Sequence, residues 1–210
     1  MPSQTNVSYE AYMAWARQQE GRSEWVNGRI IQHMSVSAVH QQTVQFLLTL
    51  ISLYLEIYAL GKLLTGPAEA KLSLTISREP DLFFISNEQL PQLTDERFAG
   101  APALVVEVVS RTSIKRDRDT KWKEYQRLGV QEYWVIDPRT GSQRADFYQL
   151  DANGEYTLVA TESDNRYESQ VLSGFWLNPA WLWQINSLKT TKLLAEITGL
   201  SSAELAAKLF

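Results

Sequence analysis

The chain has 210 residues, enough for one globular domain that hides roughly 70–75% of its unfolded surface and needs no covalent staples. It contains no cysteine, which removes disulfides, thiolate zinc sites, iron–sulfur clusters and a cysteine nucleophile, and its two histidines are too few for a poly-histidine metal centre. A hydrophobic content of 44% with 7 Trp, 9 Tyr and 7 Phe excludes a disordered or collagenous chain, and a net charge of −4 argues against binding nucleic acid by bulk charge while leaving room for a local basic patch. Oxygen-ligand metal chemistry, carboxylate acid–base work and simple binding remain.

The polar segment Met1–Glu10 has no apolar core and does not read as a secretory signal; with no disulfides to keep oxidised, a cytoplasmic protein is expected. Ser8 is placed to cap a short helix carrying Tyr12, Trp15 and Ala16 on one face. Glu24–Ile31 reads as a hairpin, because Asn27-Gly28 favours the positive φ angles of a tight β-turn. Thr43–Leu60 is the most apolar stretch, but Gln45, Thr49, Ser52 and Glu56 interrupt it near a four-residue spacing. That is the exposed stripe of an amphipathic core helix, not a membrane span, with Phe46, Leu47, Leu50, Ile51, Tyr54, Ile57 and Tyr58 inward and Gly61 as its stop.

Short β-like runs follow at Lys62–Thr65, Glu69–Ile76 and Leu82–Ile85, then a Pro/Asp/Gly-rich loop from Asn87 to Pro102. Ala103–Ser110 is an almost continuous apolar strand, Arg118–Leu128 a second helix ending at Gly129, and Tyr133–Ile136 another strand closed by Asp137-Pro138. That strand–helix–strand order predicts a βαβ crossover with parallel pairing. Ala145–Leu150 and Tyr156–Thr161, joined through Asn153-Gly154, read as a meander, and Thr190–Phe210 as two helices broken by Gly199. Trp176, Trp181 and Trp183 suit packing better than base stacking.

Glu107 lies inside Leu104-Val105-Val106-Glu107-Val108-Val109, where an ionised carboxylate costs several kcal/mol unless paired or bound to a cation. Asp81 opens Leu82-Phe83-Phe84-Ile85 directly after Pro80. If the two strands are neighbours, the carboxylates converge on one hard cation, Mg²⁺ or Mn²⁺. The alternative is that Asp81 caps a turn and Glu107 pairs with an arginine. On the helix that follows, at about 100° per residue, Trp122, Tyr125 and Leu128 cluster toward the sheet, with Lys121 within roughly 40° of their centre and Lys123 roughly 160° away. Lys121 therefore points at the sheet carrying Glu107, either as part of a reacting site or as a buried salt bridge. His40 is a candidate auxiliary or a hydrogen-bonded structural residue, and Asp137 a turn-former.

The segment Arg111–Arg127 holds seven basic and three acidic residues, leaving −8 for the remainder. It is either a solvated helix entry or a phosphate-steering patch beside the site, in which Arg111, Lys115, Arg116 and Arg118 would contact nucleic acid.

Pro80-Asp81, Leu104–Ser110, the set Asp117, Lys121 and Tyr125, and Gly129–Pro138 together resemble the Uma2 family of the PD-(D/E)XK restriction-endonuclease-like superfamily, over about Ser8 to Leu188. The resemblance implies an α/β fold: a three-layer core with a central mixed sheet flanked by helices, to which the chain adds a β-meander and C-terminal helices. Residues 1–188 would form the nuclease domain and 189–210 a helical extension packed on it. The resemblance assigns Asp81 and Glu107 as the motif's acids, and with the backbone carbonyl of Val108 they would hold Mg²⁺, Mn²⁺ substituting. The superfamily's lysine usually lies two residues after the second acid, where this chain has Val109; it is similar to Uma2 sequences in carrying the lysine on the next helix, as Lys121. Glu24 matches the family's hairpin glutamate, which as a catalytic residue would hold or orient a second metal or a water, while Asn27 and Arg29 stand where acids are common and Arg111 where proline is usual. The implied activity is Mg²⁺-dependent endonucleolytic cleavage of DNA, with a homodimer supplying two sites to a duplex; the alternative is an inactive nuclease fold acting as a nucleic-acid-binding or protein-interaction module.

Overall fold

Successive side chains on a strand point to opposite faces, and in this chain the alternation sorts the core into two halves. A computed structural model describes residues 6–33 and 35–209; residues 1–5, within the segment read as lacking a secretory leader, lie outside that range. The elements run α1 (Tyr9–Ala16), β1 (Ser23–Val26), β2 (Arg29–Gln32), α2 (Ala38–Tyr58), β3 (Gly61–Thr65), β4 (Ala70–Lys71), β5 (Ile76–Arg78), β6 (Leu82–Ser86), β7 (Phe98–Ala99) and β8 (Leu104–Val108). A π-helical turn, Arg116–Lys121, leads into α3 (Trp122–Leu128), followed by β9 (Glu132–Asp137), β10 (Arg144–Leu150), β11 (Tyr156–Thr161), β12 (Tyr167–Glu168), β13 (Trp176–Leu177), α4 (Thr190–Thr198) and α5 (Ser202–Leu209).

The central sheet has six strands in the order β11-β10-β9-β8-β6-β3. It is mixed: β8 and β9 are parallel, as the crossover through α3 requires, and the other neighbours are antiparallel. On one face Leu82, Phe84, Leu104, Val106, Trp134 and Ile136 pack under α2 and the C-terminal helices. On the other, Phe83, Ile85, Val105, Tyr133 and Val135 meet Tyr125 of α3 together with Ala70, Ile76 and Phe98 of a smaller sheet ordered β2-β1-β5-β4-β7. The result is a three-layer α/β architecture in which α3 shares one outer layer with the small sheet. Asn27 (φ 48°) and Gly28 (φ 77°) make the tight turn of the β1–β2 hairpin, and Ser8 caps α1.

Several local expectations change. The run Glu69–Ile76 is two short strands, β4 and β5, not one, and the loop Asn87–Pro102 contains a 3₁₀ turn (Asn87–Gln92) and β7. Helix α2 starts at Ala38 and ends on Ala59, which takes the left-handed conformation (φ 49°), so Gly61 is not its stop. Gly61 instead opens β3, where a Cβ would collide with the Ile85 carbonyl oxygen. Tyr58, expected inward, is exposed, its ring lying against that of Tyr54 one turn earlier. The second helix carries a π turn over Arg116–Lys121, and helical backbone is already present at residues 114–115, four residues earlier than its periodicity predicts. Among the described residues no helix is long and apolar enough to cross a membrane.

Candidate active site

Register brings the two motif acids together. In the antiparallel β6–β8 pair Leu82 faces Val106, so one residue further Asp81 stands opposite Glu107. Glu107 lies at an odd position of β8, with Val105, and so faces α3. The β1–β5 pairing aligns Trp25 with Ser77, which sets Glu24 opposite Arg78. The corner Glu79-Pro80-Asp81 carries the chain from the small sheet to the central one and joins the two carboxylate pairs.

These residues converge on a cleft of about 440 Å³ whose lining includes Arg22, His40, Asp81, Glu107, Asp117 and Lys121. Lys121 is 1% exposed, and its Nζ lies 2.7 Å from Glu107 Oε1 and 2.9 Å from Glu24 Oε1. Tyr125 donates its hydroxyl to the same Glu107 oxygen at 2.8 Å, so both contacts fall on Oε1. Asp81 is held by three donors: Arg22 Nη1 to Oδ1 at 2.7 Å, the Val108 amide to Oδ2 at 2.8 Å, and His40 Nε2 at 3.2 Å from Oδ2. Arg78 closes the back of the site between Glu24 and Glu124.

Electrostatics divides the acids. Burial pushes Glu24 up, but Lys121 and Arg78 outweigh it and hold its carboxyl well below the usual range. Glu107 has Lys121 and only the neutral Tyr125 hydroxyl; burial dominates and raises it to about 7, with Asp117, Asp81 and Glu24 adding to the rise. Asp81 is also buried, yet His40 and Arg22 keep it ionised. Lys121 loses solvation but gains Glu107, Glu24 and Asp117, so it stays protonated. Burial, then Glu107, puts Tyr125 well above its ordinary value, which fixes it as a donor. Asp117 is 2% exposed, raised by burial, and its Oδ1 has no hydrogen-bond partner among the described residues.

Asp81, Glu107, Val108 and Lys121, each singled out in the sequence, line one cleft. Glu24 sits behind Lys121, fully buried, and touches the ammonium rather than the cleft. The carboxylate–arginine pair considered for Glu107 is instead a carboxylate–lysine pair. Of the basic run, Arg116 lines the cleft, Arg111 and Lys115 are exposed at the entry, and Arg118 turns away to pair with Asp146. Asp137 shapes its turn by accepting from the Arg139 amide and guanidinium. Trp181 is buried, and Trp176 and Trp183 pack against the main core. Sequence reasoning missed Arg22 and Asp117 as cleft residues, and Arg78 as the partner of Glu24. Arg22 lies in a turn with no periodicity to aim it, whereas Asp117 carried a signal, four residues before Lys121 on the same helix face.

A family model described as "Uma2: Putative restriction endonuclease" matches residues 9–180. No curated protein matches the chain. Among solved structures, a crystal structure titled as a putative nuclease belonging to DUF820 from Anabaena variabilis ATCC 29413 shares the fold at a TM-score of 0.68 and 15% identity, covering 85% of this chain and 98% of that one.

Proposed function

The chain belongs to the Uma2 family, and on that premise we propose that it is a Mg²⁺-dependent endonuclease hydrolysing DNA phosphodiester bonds. The observation that carries this reading is Asp81 opposite Glu107 in one cleft, with a buried lysine fixed against Glu107. Among the described residues no three His, Asp or Glu side chains form a ready ligand cluster. The donor chemistry nevertheless suits a hard divalent cation: two carboxylates, one of them with an oxygen outside its protein hydrogen bonds, and the Val108 carbonyl. An ion held by Asp81, Glu107 and Val108, Mg²⁺ or Mn²⁺ in its place, would polarise a phosphodiester and make a nearby water more acidic.

The remaining chemistry belongs to the chain. Lys121, kept charged by Glu107 and Glu24, offers its ammonium to the negative charge that builds on phosphorus oxygens in the transition state. Glu24 positions that lysine and does not itself touch substrate. Tyr125 holds Glu107 from the other side. Arg116 at the cleft, with Arg111 and Lys115 exposed at the helix entry, meets the backbone phosphates, and a second copy of the chain brings a second site to the other strand of a duplex. Arg118, bound to Asp146, contributes less than the other three.

Incubating purified protein with plasmid DNA in Mg²⁺ or Mn²⁺ tests the reading. Glu107→Gln should lower cleavage by about 100-fold or more while leaving the melting temperature near that of the unchanged protein, the magnitude expected when the ion that would stabilise transition-state charge loses one of its carboxylates. Cleavage that survives in Glu107→Gln overturns the assignment. The direct Lys121–Glu107 pair also suits a fold that binds without cutting, and salt-dependent DNA binding with no cleavage in either metal would establish that alternative.

A further inference from the structure

Two arginines meet the carboxylates of this site, and they are built differently. The Arg78 side chain is 1% exposed and every nitrogen donates: Nη1 to Glu24 Oε2 at 2.8 Å, Nε to Glu124 Oε2 at 3.1 Å, and Nη2 to that same oxygen. Such a saturated guanidinium is a fixed part of the fold. The Arg22 side chain, in the turn before β1, is 26% exposed. Its Nη1 donates to Asp81 Oδ1 at 2.7 Å and its Nη2 to the Glu79 carbonyl, but its buried Nε has no hydrogen-bond partner among the described residues, the Glu79 carboxylate lying 3.7 Å away.

The seat of Arg22 is nonetheless shaped for it. The guanidinium lies against Gly66, where a Cβ would come within 2.7 Å of Cζ and Nη2 and 2.8 Å of Nε. Thus an absent side chain makes room for a cation that is only partly satisfied and open to solvent on one side. Asp81 explains what that cation is for. Its Oδ2 already takes the Val108 amide and faces His40, so Oδ1, the oxygen under Arg22, is the one that an incoming ion would need. Two like charges do not share one carboxylate oxygen at short range without strong repulsion.

We propose that the Arg22 guanidinium is a resident cation of the Asp81–Glu107 pair, seated over Gly66 in the metal-free protein and displaced when a divalent cation binds. The proposal rests on reading those two carboxylates as a metal site. Arg22 then does two things: it compensates the charge of Asp81 before the ion arrives, and it makes the site's affinity weaker than the carboxylates alone would give. Removing the competitor, or its seat, tightens binding.

Titrating Mn²⁺ against the full chain, with unbound Mn²⁺ followed by electron paramagnetic resonance, reads this without any cleavage assay. Arg22→Gln should lower the Kd for Mn²⁺ at least ten-fold relative to the unchanged protein, and Asp81→Asn should abolish binding. Gly66→Ala keeps the arginine but denies it the seat, and should shift the Kd in the same direction; it decides the matter if Arg22→Gln does not fold, as judged by thermal unfolding. Unchanged or weaker Mn²⁺ binding in both variants, with Asp81→Asn still abolishing it, overturns the exchange and leaves the metal site standing. No Mn²⁺ bound by the unchanged protein or by either variant overturns both.

Discussion

Buried carboxylates in this protein are accommodated in two ways. Glu24 and Glu107 share the ammonium of Lys121, at 2.9 and 2.7 Å, but only Glu24 has Arg78 as a second cation, and Glu107 is left raised and short of positive charge. Among the described residues Glu132 has no cationic partner. Ser169 donates to both its oxygens, and the Gln170 and Val171 amides donate to Oε1, yet burial outweighs those bonds and raises its carboxyl. A raised carboxyl contributes stability that is complete below its unfolded value and is lost as pH climbs through its folded value. Glu132→Gln keeps Oε1 for the amides and can donate its new amide to Ser169. It should therefore match the unchanged protein in acid and exceed it toward pH 8, by on the order of 1 kcal/mol. Thermal unfolding from pH 4 to 8 checks this; an advantage that shrinks as pH rises would refute the assignment. At this scale the sequence was legible where a charge broke an apolar pattern, as at Glu107, or fell on a definable helix face, as at Lys121. Arg22 was not, because a turn residue has no pattern to violate, and only the tertiary seat over Gly66 gives it meaning.

Elements long enough to express a period were read correctly, and those too short to express one were not. Helix α2 shows its stripe over 21 residues, β8 is an apolar run broken only by Glu107, and β9 is apolar between Glu132 and Asp137; β4 and β7 have two residues each, too few to show any alternation. The π turn at Arg116–Lys121 is a different case, since a wheel drawn at a fixed angle cannot reveal it. Asp117 and Lys121 are both buried within it, and such turns recur at functional sites. The end of α2 is instructive for the same reason. A glycine lay two residues beyond the true stop and drew the boundary to itself, while Ala59 adopts the left-handed conformation that costs a Cβ-bearing residue about 1–2 kcal/mol. Ala59 is exposed and its amide already donates to the Leu55 carbonyl, so nothing but backbone strain is at stake. Ala59→Gly should stabilise the protein by roughly 0.5–1 kcal/mol after the greater freedom of unfolded glycine is set against the relief. A lower melting temperature for this variant would mean that the neighbouring turn, not the helix cap, sets its conformation.

The whole molecule is one three-layer unit at 15% identity to a structure with which it shares a TM-score of 0.68, so the architecture tolerates wide replacement as long as alternation along the central strands is kept. The βαβ crossover and the meander were legible because alternating and continuous runs name the two faces of a sheet, whereas the small sheet that completes the third layer showed only its β1–β2 hairpin, its other strands having two or three residues each. The C-terminal helices test how far this unity extends. They read as an extension beyond Leu188, but Leu193, Leu194, Ile197 and Leu205 enter the same hydrophobic cluster as α2 and the central strands, and both helices pack on α2. Leu194 has no exposed surface. Replacing it by alanine leaves a cavity between α4 and the main core helix and should cost about 2–5 kcal/mol. If α4 and α5 belong to the same cooperative unit, urea unfolding of Leu194→Ala will show one transition at a lower midpoint, with far-ultraviolet circular dichroism and tryptophan fluorescence coinciding. If they are a detachable layer, the main transition will keep its midpoint and only a small early change will appear, because the remaining core would not feel the loss.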